Sequence, residues 1–226
     1  MKPEEKKGIK KIDIPKYSLS EELLSAISHG VGVLLSIAAL VLCIVRSAHH
    51  HDAYAVVSSS LYGATSILLY LMSTLYHSLK VNNAKRVFRI IDHCTIFLLI
   101  AGTFTPFCLV AIRKYSVALG WSMFGIIWAT AIVGISLTAV DLNKFKKMGM
   151  ILYLVMGWAV LIAFKGIWKT VPKRGILLLF LGGVVYTIGA IIYGIGKKHK
   201  YMHSLFHFVV LLASVLFFFS IFLYVI

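Results

Sequence analysis

Cysteine is scarce and poorly placed for cross-linking. The three present, Cys43, Cys94 and Cys108, lie inside apolar segments and show no paired spacing. They read as small hydrophobes, and no disulfide framework is expected. The first 20 residues, MKPEEKKGIKKIDIPKYSLS, hold no apolar stretch able to serve as the h-region of a cleavable signal. No linker is long enough to separate domains, and no segment convincingly repeats another. Acidic residues are few: eight Asp and Glu against 23 Lys and Arg leave a formal charge of +15. In a soluble domain such an excess would point to nucleic acid. Here the basic residues fall in loops between apolar blocks, where membrane topology and anionic lipid headgroups account for them, so no nucleic-acid partner is expected.

Apolar sequence is what the chain has in abundance. Of its 226 residues, 60% are hydrophobic and mean hydropathy is +0.90, whereas soluble domains are about 45–50% apolar even with glycine counted. These residues gather in blocks of about 20, the length that crosses a hydrocarbon core as a helix. Seven blocks predict spans at 24–45, 54–78, 88–111, 118–140, 149–168, 175–195 and 203–225. The fifth is the least uniform, since it carries Lys165 and gains from snorkelling near its end. The expected fold is therefore all-α: a polytopic seven-helix transmembrane bundle over 21–226, preceded by a basic tail at 1–20. Glycines such as Gly102, Gly134 and Gly182 recur within spans and permit close helix contacts. Sixteen Lys and Arg lie in the tail and the 2–3, 4–5 and 6–7 connections, against seven on the other side. The positive-inside rule then places the N-terminus in the cytoplasm and, after seven spans, the C-terminus outside.

One set of polar residues falls where the spans begin or end on that cytoplasmic side. Span 2 closes with Ser73 and His77 four residues apart, span 3 opens with Asp92, and span 7 opens with His203 and His207, also four apart. Residues i and i+4 share a helix face, so the charge-derived topology brings these groups to one depth. Three imidazoles and a carboxylate suit zinc, which takes neutral histidine nitrogens and, with three protein ligands, keeps a fourth position for water. Asp92 is read as an outer acceptor that takes a proton from that water rather than as a fourth ligand. Ser73 is a weak zinc ligand, and its hydroxyl is read as bonding the same water or polarising a substrate carbonyl. The competing reading is a set of polar groups satisfied by helix-to-helix hydrogen bonds near the headgroups. His93 points about 100° away from Asp92 around the helix and is left outside the site. Glu22 and His29, seven residues apart, either face the bundle near the site or serve as cap and interfacial groups. His49, His50 and His51 with Asp52 read as a solvated loop, and Trp121, Trp168 and Tyr201 as interfacial anchors.

The stretches STLYHS at 73–78, DHCTIFLLIAGTFTP at 92–106, HSLFHF at 203–208 and GGVVYTIGAIIY at 182–193 closely resemble the bacterial hemolysin III family. That family is grouped with the progestin and adipoQ receptors and, more distantly, the alkaline ceramidases. The resemblance implies seven helices with a cytoplasmic N-terminus in a bacterial plasma membrane. It also implies a zinc site in which His77, His203 and His207 ligate the metal while Asp92 and Ser73 serve its bound water. The long cytoplasmic N-terminal domain of the adipoQ receptors is lacking, which argues against a hormone-receptor role. Family members are described as pore-forming hemolysins, receptors, zinc-dependent lipid amidases and regulators of membrane lipids or energetics. A pore has little internal support, because no repeated charged stripe would line a wide channel. The leading expectation is a zinc protein that hydrolyses an acyl amide or ester of a membrane lipid. The alternative is a non-enzymatic regulator or membrane-perturbing protein with a structural zinc.

Overall fold

The computed structural model describes residues 12–196 and 199–226, and every regular element among them is helical. Short polar residues set most of the helix starts by accepting from the unpaired first-turn amides. Helix α1 (Leu19–His49) opens with a reciprocal box: Ser18 Oγ accepts from the Glu21 amide, and the Glu21 carboxylate accepts from the Ser18 amide. Asp52 caps α2 (Ala53–Ser78) through the amides of Tyr54 and Ala55. The histidine run before it thus forms a turn, with His51 at φ 52°. Asn82 caps α3 (Asn83–Tyr115), Ser116 caps α4 (Val117–Val140) and Asp141 caps α5 (Leu142–Trp158). The remaining elements are α6 (Phe164–Thr170), α7 (Lys173–Ile195) and α8 (Met202–Tyr224).

All seven predicted spans reappear, and the first is longer than expected, beginning at residue 19 and ending at 49. The fifth is broken. Leu142–Leu161 and Phe164–Thr170 meet at a bend of 52°, with Lys165 exposed beyond the break. Together they still cross the bundle. Leu142 lines a cavity beside His203 at one end, whereas Gly166 packs against Tyr115 at the other. With the bent pair counted as one span, the six unbroken spans become seven.

The central helix is α3, with 83% of its most apolar stretch buried against 28–50% for the other unbroken spans. Short connections make α1, α2, α3 and α4 antiparallel neighbours, and α8 closes the bundle by packing on both α7 and α1. Pro106 removes one backbone donor inside α3, and the turn that follows widens to a π-helix over Phe107–Ile112. The apolar core surrounds this half, with Phe97, Phe104, Phe107, Ile127, Ile167 and Phe217 all buried. The opposite half, where α1, α3 and α8 begin and α2 ends, holds the buried histidines and charged side chains of the described residues.

Two of the basic residues counted as loop charges are not on a lipid-facing loop. Lys85 and Arg89 lie in the first two turns of α3 at 1% and 4% exposure. Lys2, Lys6, Lys7, Lys10, Lys11, Lys197 and Lys198 lie outside the described residues.

Candidate metal centre

His77 comes from the last turn of α2, and His203 and His207 from the first two turns of α8. The helix period puts the latter two on one face, and the packing of α1 between α2 and α8 leaves all three rings in contact. His203 Nε2 lies 3.3 Å from His77 Nε2 and 3.1 Å from His207 Nε2. Each residue offers a nitrogen within 4.8 Å of the other two. Two ligands at about 2.0–2.1 Å from a tetrahedral zinc stand about 3.3 Å apart, so the spacing fits the metal's geometry. His77 and His207 are buried at 3% and 2% exposure.

The outer nitrogens of two of these rings are held as well. Glu22 Oε2 sits 2.6 Å from His77 Nδ1, and its other oxygen accepts from Lys85 Nζ at 2.6 Å. A carboxylate can only accept, so His77 carries its proton on Nδ1 and turns the Nε2 lone pair towards the other histidines. His207 Nδ1 lies 2.9 Å from His29 Nε2, and His29 packs edge-on against Tyr70. Glu22 and His29 are thus partners of the histidine cluster, and the capping role falls to the neighbouring Glu21. Sequence reading underweighted both. The available signal was their seven-residue spacing on the face that α1 presents to the bundle.

Asp92 and Ser73 share the wall of an apolar cavity of about 140 Å³ with His203 and His207. Ser73 Oγ is fully buried beside the Asp92 carboxylate, and among the described residues no partner lies within 3.5 Å of it in hydrogen-bond geometry, which leaves room for a bound group to complete its hydrogen bonding. Asp92 stands outside the set of three histidines able to share one ion. His93 borders the same cavity but is engaged elsewhere, with Nδ1 2.8 Å from the Arg89 carbonyl and Nε2 3.2 Å from Tyr193 Oη. On the outer side, Tyr17 stacks on His203 at 4.6 Å between centroids and 8° between planes. Sequence patterning gave no hint of this cover.

A family model described as Haemolysin-III related matches residues 17–218. The chain is 40% identical over 207 residues to a protein named Hemolysin-3 from Bacillus cereus, covering 92% of this chain and 93% of that one. It is also 40% identical over 208 residues to a Hemolysin-3 homolog from Bacillus subtilis (strain 168), covering 92% and 96%. No solved structure matches. The chain belongs to the haemolysin-III-related family, and it is an integral membrane protein, consistent with a bacterial plasma membrane.

Proposed function

We propose that this member of the haemolysin III family binds zinc through His77, His203 and His207 and hydrolyses an acyl amide or ester of a membrane lipid. The observation that carries the reading is the convergence of three histidines, with His203 Nε2 3.1–3.3 Å from the Nε2 atoms of the other two, beside a cavity with the Ser73 hydroxyl and the Asp92 carboxylate on its wall. Zinc in such a site supplies a Lewis acid and a water made acidic near neutral pH. The chain supplies the rest. Leu99, Met150 and Val210 in the cavity wall exclude bulk water and take the acyl segment next to the scissile carbonyl. Ser73 Oγ donates a hydrogen bond to that carbonyl oxygen as negative charge develops on it. A carboxylate oxygen of Asp92 accepts the proton of the attacking water and returns it to the leaving nitrogen or oxygen.

A second reading has its own support. The histidines join α2 to α8, and Glu22 and His29 tie both to α1, so a metal there would staple three helices without reacting. The membrane-perturbing activity that the names of the Bacillus relatives suggest belongs with this reading. Zinc-loaded protein, metal-free protein and Asp92→Asn are incubated with a cellular lipid extract, and released fatty acid is measured by mass spectrometry. The hydrolase reading expects release from zinc-loaded wild type alone, with Asp92→Asn keeping its zinc but falling by about two orders of magnitude or more in rate. Equal release in all three would reject hydrolysis and leave the staple.

A further inference from the structure

A second, larger cavity of about 700 Å³ opens at the same end of the bundle, with Tyr17 and the His203 ring it stacks on both in its wall. Lys16, Arg89, Lys146 and Lys200 line it, against two carboxylates, Asp13 and Glu21. Glu21 is already engaged by the Ser18 and Tyr201 amides. Tyr17 adds no charge, because burial holds its phenol above the ordinary tyrosine range.

Arg89 is the informative residue. Its guanidinium is buried at 4% exposure near the end of a membrane helix. It donates from Nη1 to the Asp13 carbonyl, and no carboxylate pairs with it among the described residues. A guanidinium has five N–H donors and stays charged, so burying it in this way is costly unless an anion completes its shell. Its planar fork matches two oxygens of a phosphate. The basic cavity also shares His93, Lys146, Tyr193 and His203 with the apolar cavity beside the histidines. A molecule reaching across that shared wall has to be charged at one end and apolar at the other.

We infer that the Arg89 cavity is a binding site for the phosphate of an anionic lipid headgroup, seated so that the acyl part reaches the apolar cavity. This rests on the lipid reading of the histidine site, but binding can be tested apart from turnover. Delipidated protein is reconstituted in phosphatidylcholine bilayers containing phosphatidylglycerol of matched chains, and the lipids that it retains are counted by native mass spectrometry. Sodium phosphate and glycerol phosphate serve as free competitors. Wild type is expected to retain phosphatidylglycerol over phosphatidylcholine by about tenfold, because phosphatidylcholine offers the same phosphate but brings a quaternary ammonium into a cavity lined by cations. Arg89→Gln should abolish the preference and Arg89→Lys keep part of it. Should Arg89→Gln fail to fold, Lys16→Gln with Lys200→Gln, both at exposed positions, is expected to weaken the preference. No preference in wild type, or one unchanged in every variant, overturns the site. Displacement of the lipid by free phosphate at matched concentration overturns the headgroup assignment in favour of a soluble anion. The same measurement on metal-free protein and Asp92→Asn separates the two readings. Preference without any turnover in wild type sinks hydrolysis alone, and turnover without preference sinks the headgroup site alone.

Discussion

At the scale of the residue, Glu22 bears the most on the site. One carboxylate oxygen fixes the proton of His77 and the other neutralises the Lys85 ammonium, which is 1% exposed and also donates to the Leu79 carbonyl. Taking away the part-buried Glu22 carboxylate strands the buried Lys85 ammonium, at about 3 kcal/mol, the low end for a buried pair. Glu22→Ala is therefore expected to lower the unfolding midpoint sharply, and Glu22→Gln with Lys85→Met to restore most of it. A double variant as unstable as the single would show that the charge pair is not the cause. The double variant offers His77 Nδ1 only a neutral amide oxygen in place of the carboxylate, so its metal affinity should fall by about tenfold, the low end for loss of such a partner. The direct test of the histidines is metal content: about one zinc per chain in wild type, strongly reduced in His77→Ala, His203→Ala and His207→Ala, and unchanged when His49, His50 and His51 are all replaced. Unchanged content in the three single variants would reject the site. The histidines were legible because SxxxH and HxxxH are local spacings that a helix turns into shared faces. Glu22 reaches His77 across 55 residues, and Lys85 looks like any loop lysine until its helix is placed. Periodicity carries no information on either.

At the scale of the element, the site is held in place by how closely α2, α3 and α4 approach one another. A Cβ on Gly102 would strike Thr65 Oγ1 and come within 3.2 Å of the Leu61 carbonyl, while one on Gly134 would enter the Phe97 ring. Thr65 has no room to yield, since its hydroxyl donates to the Leu61 and Tyr62 carbonyls. Gly102→Ala must push α3 away from α2, and overpacking of this kind costs about 1–3 kcal/mol. It should lower the thermal midpoint and, because α3 carries Asp92 while α2 carries Ser73 and His77, draw the carboxylate away from the histidines. Gly125→Ala meets nothing within 4 Å and is the control, expected to behave as wild type. Equal behaviour of the two variants would refute this account of the packing. The spans were legible from hydropathy because a bilayer demands long continuous helices. The break near residue 162 was not, because its flanks are as apolar as the helices they join, and Lys165 showed only that this span departs from the rest.

At the scale of the whole molecule, the open question is which end of the bundle faces the cytoplasm. Sixteen basic residues were assigned to the histidine end, and removing the buried Lys85 and Arg89 leaves fourteen against seven. That ratio still favours a cytoplasmic N-terminus. The other end has also spent some of its charge locally. Arg46 donates to the Ile226 carbonyl, and Arg113 donates to the Leu109 carbonyl and lies 3.5 Å from the centre of the Tyr54 ring. Residue placement within the bundle fixes the relative sides independently of charge. If the bent α5 and α6 pair were a re-entrant loop, an even number of crossings would return the C-terminus to the side of the N-terminus. The contact of Gly166 with Tyr115 instead carries that pair across, and α7 begins at the far end. A reporter fused before Met1 is therefore expected in the cytoplasm. One fused after Ile226 is expected outside the cell, and one inserted at Val171, between α6 and α7, should also report outside. Three reporters separate two kinds of error. An external N-terminus with Val171 and the C-terminus both inside would invert the charge argument and leave the bundle intact. All three inside would mean that the bent pair does not cross, which would move α7 and pull apart the walls that line both cavities.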